Sequence, residues 1–237
     1  MKAAIVLGCG QTPVYWDFRE PKPSPNDTCI AVTAAAISHV AKSRASGKHY
    51  SSSGQFPFVV GIDGVGRRDD GSRVYFVLPQ APYGGMAERT VVPLAQCLAL
   101  PDGLDDVTAA AIANPGTSSW AAYTERAKLK AGETVLVNGA AGTAGRLAVQ
   151  IAKYLGAKKV IATARNADAL TSVAALGADV TIALVGDRVD GQWYRKHTSR
   201  PPTQRHLRAT ASDHARRLQN RGQARFLVRS RTGMAPG

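Results

Sequence analysis

Short apolar runs separated by turn residues fill the first hundred positions of the chain. Clusters of Gly and Pro bound these runs, as they usually bound strands. The runs occupy residues 3–7, 30–36, 58–60, 73–77 and 86–92. Many short strands at irregular spacing predict a small barrel or sandwich. Pro101-Asp102-Gly103 then ends this part of the chain.

Apolar runs alternate with amphipathic segments further along the chain. Residues 135–137 form an unalternating apolar run, which is typical of a parallel strand buried on both faces. Leu147, Ile151 and Leu155 then recur at a spacing of four, which predicts a helix ending before Gly156. Further strands and helices are predicted at 160–162, 168–176 and 180–183, and an earlier helix at 118–128 after an interruption at Asn114-Pro115-Gly116. Strand–helix–strand–helix–strand order predicts an α/β fold with a doubly wound parallel sheet.

A glycine-rich stretch links the first of these strands to the helix that follows it. Glycines three residues apart allow a tight turn and a close approach of backbone to a ligand. The free N–H groups at a helix N-terminus attract phosphate charge. A plain turn is the alternative, but the position between a buried strand and an amphipathic helix favours dinucleotide binding. The residues assigned to the cofactor are Gly139, Ala140, Gly142, Thr143, Ala144 and Gly145.

The end of the next strand indicates which dinucleotide the chain uses. NAD sites commonly place an acid there to bind the ribose 2′-hydroxyl. Thr163-Ala164-Arg165 offers no acid, and an arginine suits a 2′-phosphate. We therefore expect Thr163 and Arg165 to contribute to an NADPH site. The alternative is that Arg165 belongs to a solvated loop.

The net charge of +13 is unevenly distributed. Residues 1–186 hold 18 Lys and Arg against 14 Asp and Glu, whereas residues 187–237 hold 12 against 3, a net charge of +9. The last segment has only six Leu, Ile, Val and Phe residues among 51 and no apolar periodicity. We expect it to be disordered. An arginine-rich tail of this kind also raises the alternative of non-specific nucleic-acid binding, although it contains no specific recognition motif.

The remaining composition narrows the class of protein. Three separated cysteines without a Cys-x-x-Cys pair indicate reduced thiols and a cytoplasmic protein. Residues 1–237 contain no apolar run of 18, so we expect no membrane span.

Several stretches together resemble the medium-chain dehydrogenase/reductases, in particular their zinc-free, zeta-crystallin-like quinone oxidoreductase branch. They cover much of residues 1–186 and are 32–38, 46–47, 58–66, 73–76, 83–88 and 132–179. The resemblance implies a GroES-like β-barrel domain followed by a Rossmann domain. It also implies hydride transfer from NADPH to a small-molecule quinone or to an activated alkene or carbonyl compound. The resemblance gives no oligomeric state.

Zinc-dependent relatives with this fold need a cysteine and a Gly-His-Glu at two positions. Here those positions hold Ser38 and Gly61-Ile62-Asp63, which supply neither a thiolate nor an imidazole. We therefore expect no metal.

The resemblance also suggests residues near the nicotinamide. The family's Asn position holds Ser38, and Tyr50 lies close to the position of the family's Tyr. Both are candidate catalytic residues, although a tyrosine in a Ser-rich loop is equally often structural. Ser118 matches a family hydroxyl near the cofactor, with a helix N-cap as the alternative.

The resemblance ends near residue 186, well short of a complete family member. We expect a GroES-like domain over 1–112, the N-terminal half of a Rossmann domain over 113–186, and a tail over 187–237. A truncation or a frameshift near 186–190 would explain the abrupt change of composition. It would also leave the third strand of the sheet with an unpaired edge. The alternative to an active reductase is therefore a non-catalytic remnant.

Overall fold

The computed structural model describes residues 1–47, 49, 54–185, 188–189 and 227–229. The chain divides into two compact units, Met1–Asn114 and Pro115–Gly237. Within the described residues, no helix has the length and apolar character needed to cross a bilayer.

Two antiparallel sheets form the first unit. One has three strands in the order β2-β1-β4, and the other has five in the order β7-β3-β5-β6-β8. Hydrogen bonds from Ala4 N to Met86 O (2.9 Å) and from Glu88 N to Lys2 O (3.0 Å) link β1 to the segment before β7. Two linked sheets do not by themselves establish a closed barrel, so the GroES-like barrel stays a prediction. The strands are β1 (Lys2–Val6), β2 (Val14–Asp17), β3 (Asp27–Ala34), β4 (Phe58–Val59), β5 (Asp63–Arg68), β6 (Arg73–Val77), β7 (Arg89–Pro93) and β8 (Cys97–Ala99).

Alternation along β6 separates two clusters of the first unit's core. Val74 and Phe76 pack with Ile30 and Val92 on one face of the sheet, whereas Tyr75 packs with a second cluster on the other. Successive side chains of a strand point to opposite faces, so one strand serves both clusters.

The helix α2 (Asp106–Ala121) corrects one sequence-based expectation. The helix runs through Asn114-Pro115-Gly116, which we had expected to interrupt it. A π-helical turn, Ala122–Arg126, then continues it. Proline removes one helical hydrogen bond and favours a kink. The Ala-rich turns before Pro115 and the buried contacts of the turns after it nevertheless keep both sides helical.

Three parallel strands form the centre of the second unit, in the order β11-β10-β9. Their αβ connections confirm the predicted strand–helix–strand–helix–strand order. Valines of β9 and β10 pack against Ala148, Val149 and Ala152 of α3. The elements are β9 (Thr134–Asn138), α3 (Thr143–Tyr154), β10 (Lys159–Ala164), α4 (Ala167–Ala175) and β11 (Val180–Val185).

Two short strands come from the segment that we expected to be disordered. β12 (Arg188–Val189) pairs antiparallel with β11, and β13 (Leu227–Arg229) pairs parallel with β9. The expectations of a wholly disordered tail and of a sheet that stops at its third strand are therefore wrong at these five positions. The rest of that prediction lies outside the described residues.

Candidate functional site

The glycine-rich loop begins with two amides that share one acceptor. Gly139 follows β9 with a φ of +76°, a backbone conformation that suits glycine. The N–H groups of Gly139 and Ala140 donate to the carbonyl oxygen of Thr163, at 2.8 and 2.9 Å. The Gly142 N–H closes the turn on the Gly139 carbonyl at 3.1 Å. The loop is thus anchored to the neighbouring strand β10.

The end of the loop becomes the first turn of α3. Gly142 is the N-cap, with an extended backbone (φ −76°, ψ 164°) and no side chain to cap the helix. The first amides of a helix have no acceptor within it. Thr143, Ala144 and Gly145 therefore present N–H groups at the positive end of the helix dipole, which suits a phosphate group.

Gly145 is required for the helix to approach the loop. A Cβ at this position would lie 2.6 Å from Ala140 Cα, 2.9 Å from the Gly139 carbonyl carbon and nearer still to its oxygen. These neighbours are backbone atoms, so a side chain could fit only if the loop moved. The third glycine of the motif thus allows α3 to pack closely on the loop.

Thr163 lies near the carboxyl end of β10, next to the loop. Its side chain is buried, and its hydroxyl donates to Asn138 Oδ1 at 2.8 Å. Since its carbonyl also accepts two loop amides, Thr163 acts on the loop through contacts within the protein. A direct contact with the cofactor stays a prediction.

Two arginines follow the elements that form the site, Arg146 after the loop and Arg165 after β10. Arg165 follows β10 directly and is exposed. Arg146, which sequence reasoning missed, donates from Nε to the Ala141 carbonyl at 3.2 Å and from Nη2 to Ser172 Oγ at 2.8 Å. It therefore joins the loop to α4 and places a positive charge beside it. A basic residue in the first turns of the helix was the only signal in the sequence.

Ser118 does not cap a helix, and that alternative is wrong. It is exposed and lies inside α2. The neighbouring Ser119 is fully buried and donates its hydroxyl to the carbonyl of Ala144, at 3.3 Å, in the first turn of α3. Sequence reasoning chose Ser118 and missed Ser119, because the choice depended on an incorrect start for the helix.

The candidate catalytic residues belong to the first unit. Ser38 is the N-cap of helix α1 (His39–Ala45), and its Oγ accepts the Ala41 N–H at 3.1 Å. That bond uses a lone pair and leaves the hydroxyl proton available for donation. Tyr50 lies outside the described residues.

The family resemblance aligns Asp63 with the glutamate of the Gly-His-Glu motif of zinc-dependent enzymes. It is buried, and the Tyr75 hydroxyl donates to its Oδ2 at 2.8 Å. Burial raises the pKa of Asp63 above its ordinary value, and burial together with this hydrogen bond raises the pKa of Tyr75. Across the described part of the chain, no three His, Cys, Asp or Glu residues are grouped as metal ligands would be.

Comparison with known proteins shows that the chain is similar to several reductases. No protein-family model matches the chain. A probable NADPH-dependent quinone reductase, tdiC, from Emericella nidulans is 33% identical over 224 residues, covering 81% of this chain and 62% of that protein. The trans-enoyl reductase pgmF of Aspergillus terreus is 32% identical over 100 residues, covering 42% of this chain and 28% of that protein.

A solved structure agrees with these relatives. The quinone oxidoreductase of Thermus thermophilus, solved also as its complex with NADPH, is 32% identical with a TM-score of 0.69. The match covers 76% of this chain and 58% of that one. The chain therefore spans less than two thirds of the length of each of these three relatives. The homologues of this chain thus include NADPH-dependent quinone reductases of the medium-chain dehydrogenase/reductase superfamily, and the similarity extends over most of the chain.

Proposed function

We propose that this chain binds NADPH and transfers hydride to a quinone or to an activated alkene or carbonyl compound. The observation that carries the proposal is the glycine-rich loop, which is anchored to β10 and leads into an uncapped helix N-terminus. Relatives named as quinone and trans-enoyl reductases support the class of acceptor.

The residues of the loop fit a dinucleotide diphosphate. The first-turn amides of α3 are the donors for the diphosphate, and Gly142 leaves the approach free of a side chain. Arg165 is exposed at the end of β10, where the ribose of a bound dinucleotide lies in folds of this kind. Its guanidinium can bind a 2′-phosphate through paired hydrogen bonds.

Bound NADPH supplies a hydride, and an electron-poor acceptor needs little further activation. The protein's main task is then to hold donor and acceptor in a reactive orientation. Ser38 has a hydroxyl proton available for an acceptor oxygen, and Tyr50 is the second candidate donor. The fold resembles that of zinc enzymes, but Ser38 and Ile62 replace two of their zinc ligands.

Titration of the full chain with NADPH tests the binding step. Saturable enhancement of NADPH fluorescence, weaker for NADH, is the expected result. Consumption of NADPH with a naphthoquinone or an enone then tests turnover. Absence of binding would refute the proposal. Binding without turnover of either acceptor class would identify a cofactor-binding remnant and refute the catalytic part.

A further inference from the structure

Two buried hydroxyls join the helical segment before β9 to α3. Ser119 Oγ donates to the Ala144 carbonyl at 3.3 Å, and Tyr123 Oη donates to the Ala148 carbonyl at 3.2 Å. The two donors are four residues apart, and so are the two acceptors. The two helical segments therefore run parallel and in register, with one contact in each turn.

Both donors are committed to this contact. Ser119 and Tyr123 are fully buried, and burial raises the pKa of the Tyr123 hydroxyl, so it keeps its proton at working pH. Thr124, by contrast, donates to the Trp120 carbonyl of its own helix at 3.1 Å. Tyr123 lies in the π-helical turn Ala122–Arg126, and such wide turns often mark functional sites.

The contact between Ser119 and the Ala144 carbonyl lies in the turn that we assign to phosphate binding. Ala144 is the second residue of α3, between Thr143 and Gly145. Gly145 packs on the Gly139 carbonyl from the loop side, while Ser119 holds the Ala144 carbonyl from the side of α2. The first turn of α3 is thus held between the loop and the preceding helix.

We propose that Ser119 and Tyr123 are positioning residues that fix the first turn of α3 for the diphosphate of the dinucleotide. This inference rests on the proposed function. Neither hydroxyl touches the ligand. Each preserves the placement of amides that do, so that binding requires little reorganisation of the protein.

Comparing the affinity for a ligand that has a diphosphate with the affinity for one that lacks it distinguishes a positioning role from a general loss of stability. A neutral hydrogen bond contributes about 0.5–1.5 kcal/mol, so Ser119→Ala and Tyr123→Phe should each weaken NADPH binding about three- to tenfold. 2′-AMP has the 2′-phosphate but no diphosphate, and its affinity should not change. Thr124→Val, which removes a hydroxyl bonded within its own helix, is the matched control and should bind both ligands normally. Unchanged NADPH affinity in both variants, or an equal loss for 2′-AMP, would overturn the inference.

Amide hydrogen exchange on the ligand-free chain tests the contact independently of the proposed function. We expect faster exchange at Arg146, Leu147 and Ala148 in both hydroxyl variants and no change in Thr124→Val. Faster exchange in a chain that fails to bind NADPH would refute the proposed function and retain the positioning of α3. Unchanged exchange would refute the positioning role whatever the chain binds.

Discussion

Gly145→Ala is the most direct test of how the glycine-rich loop is built. The new Cβ would lie 2.6 Å from Ala140 Cα and 2.9 Å from the Gly139 carbonyl carbon. Because carbon atoms in contact prefer about 3.5–4.0 Å, the loop or the helix must move by roughly 1 Å. The loop cannot easily yield, since its first amides are bonded to Thr163.

The free energy of unfolding should fall despite the better helix propensity of alanine. Overpacking of this kind lowers stability by about 1–3 kcal/mol. Replacing a helical glycine by alanine returns about 1 kcal/mol. We therefore expect a net loss of up to about 2 kcal/mol, measured by urea denaturation followed by far-UV circular dichroism.

Gly116→Ala is the matched control for Gly145→Ala. Gly116 is also helical, but a Cβ there would meet only Leu147 Cδ1, at 3.9 Å. This variant should be as stable as the unsubstituted chain or more stable by up to about 1 kcal/mol. If Gly145→Ala were as stable as Gly116→Ala, the close packing of α3 on the loop would not be what requires glycine at position 145.

Three further substitutions test the site and the first unit. Gly142→Val should abolish NADPH binding by fluorescence titration but change the free energy of unfolding by no more than about 1 kcal/mol, because its φ of −76° suits any residue; retained binding would mean that the loop is only a turn. Arg165→Ala should weaken NADPH binding about tenfold or more and leave NADH unchanged, since a charged hydrogen-bond partner of the 2′-phosphate is lost; equal affinities for the two cofactors in the unsubstituted chain would contradict this. Burial raises the pKa of Asp63 above 3.8. At a pH between the unfolded and the folded pKa, the folded chain therefore holds on Asp63 a proton that the unfolded chain releases. This contribution to stability is lost as pH rises through the raised pKa. Asp63→Asn should remove the fall in stability that begins above about pH 4 in urea unfolding, and an identical pH profile would disprove it.

The sequence predicted the end of α3 to within one residue, and the reason is local. Leu147, Ile151 and Leu155 mark one face of the helix, and Gly156 ends it with a φ of +86°. The glycine-rich loop could be recognised because its position between strand and helix is also a local property. Elements defined by short-range patterns are therefore recoverable from the sequence.

Elements without an apolar pattern could not be found in the same way. The strand β2 is exposed at all four positions, so it shows no alternation. β5 contains two glycines and two arginines, and its burial follows from its neighbours in the sheet. Pro115 falsely indicated a helix break, because packing on both sides of it outweighs its local preference.

The parts of the site that depend on tertiary contacts were also missed. The Thr163 carbonyl accepts two amides that lie more than twenty residues earlier in the chain. Ser119 differs from Ser118 only in the face of the helix that it occupies. A backbone acceptor and a helix face emerge only when the sheet and the helices have packed.

The convergence of the Gly139 and Ala140 amides on one carbonyl has a kinetic consequence. We expect a loop anchored in this way to have its binding shape before any ligand arrives. Encounter should then be the only slow step, and the observed association rate should rise linearly with NADPH concentration in stopped-flow fluorescence. A loop that had to rearrange first would instead impose a ceiling on that rate. If the chain binds NADPH as we propose, the two hydrogen bonds to the Thr163 carbonyl should set the time course of binding as well as its geometry.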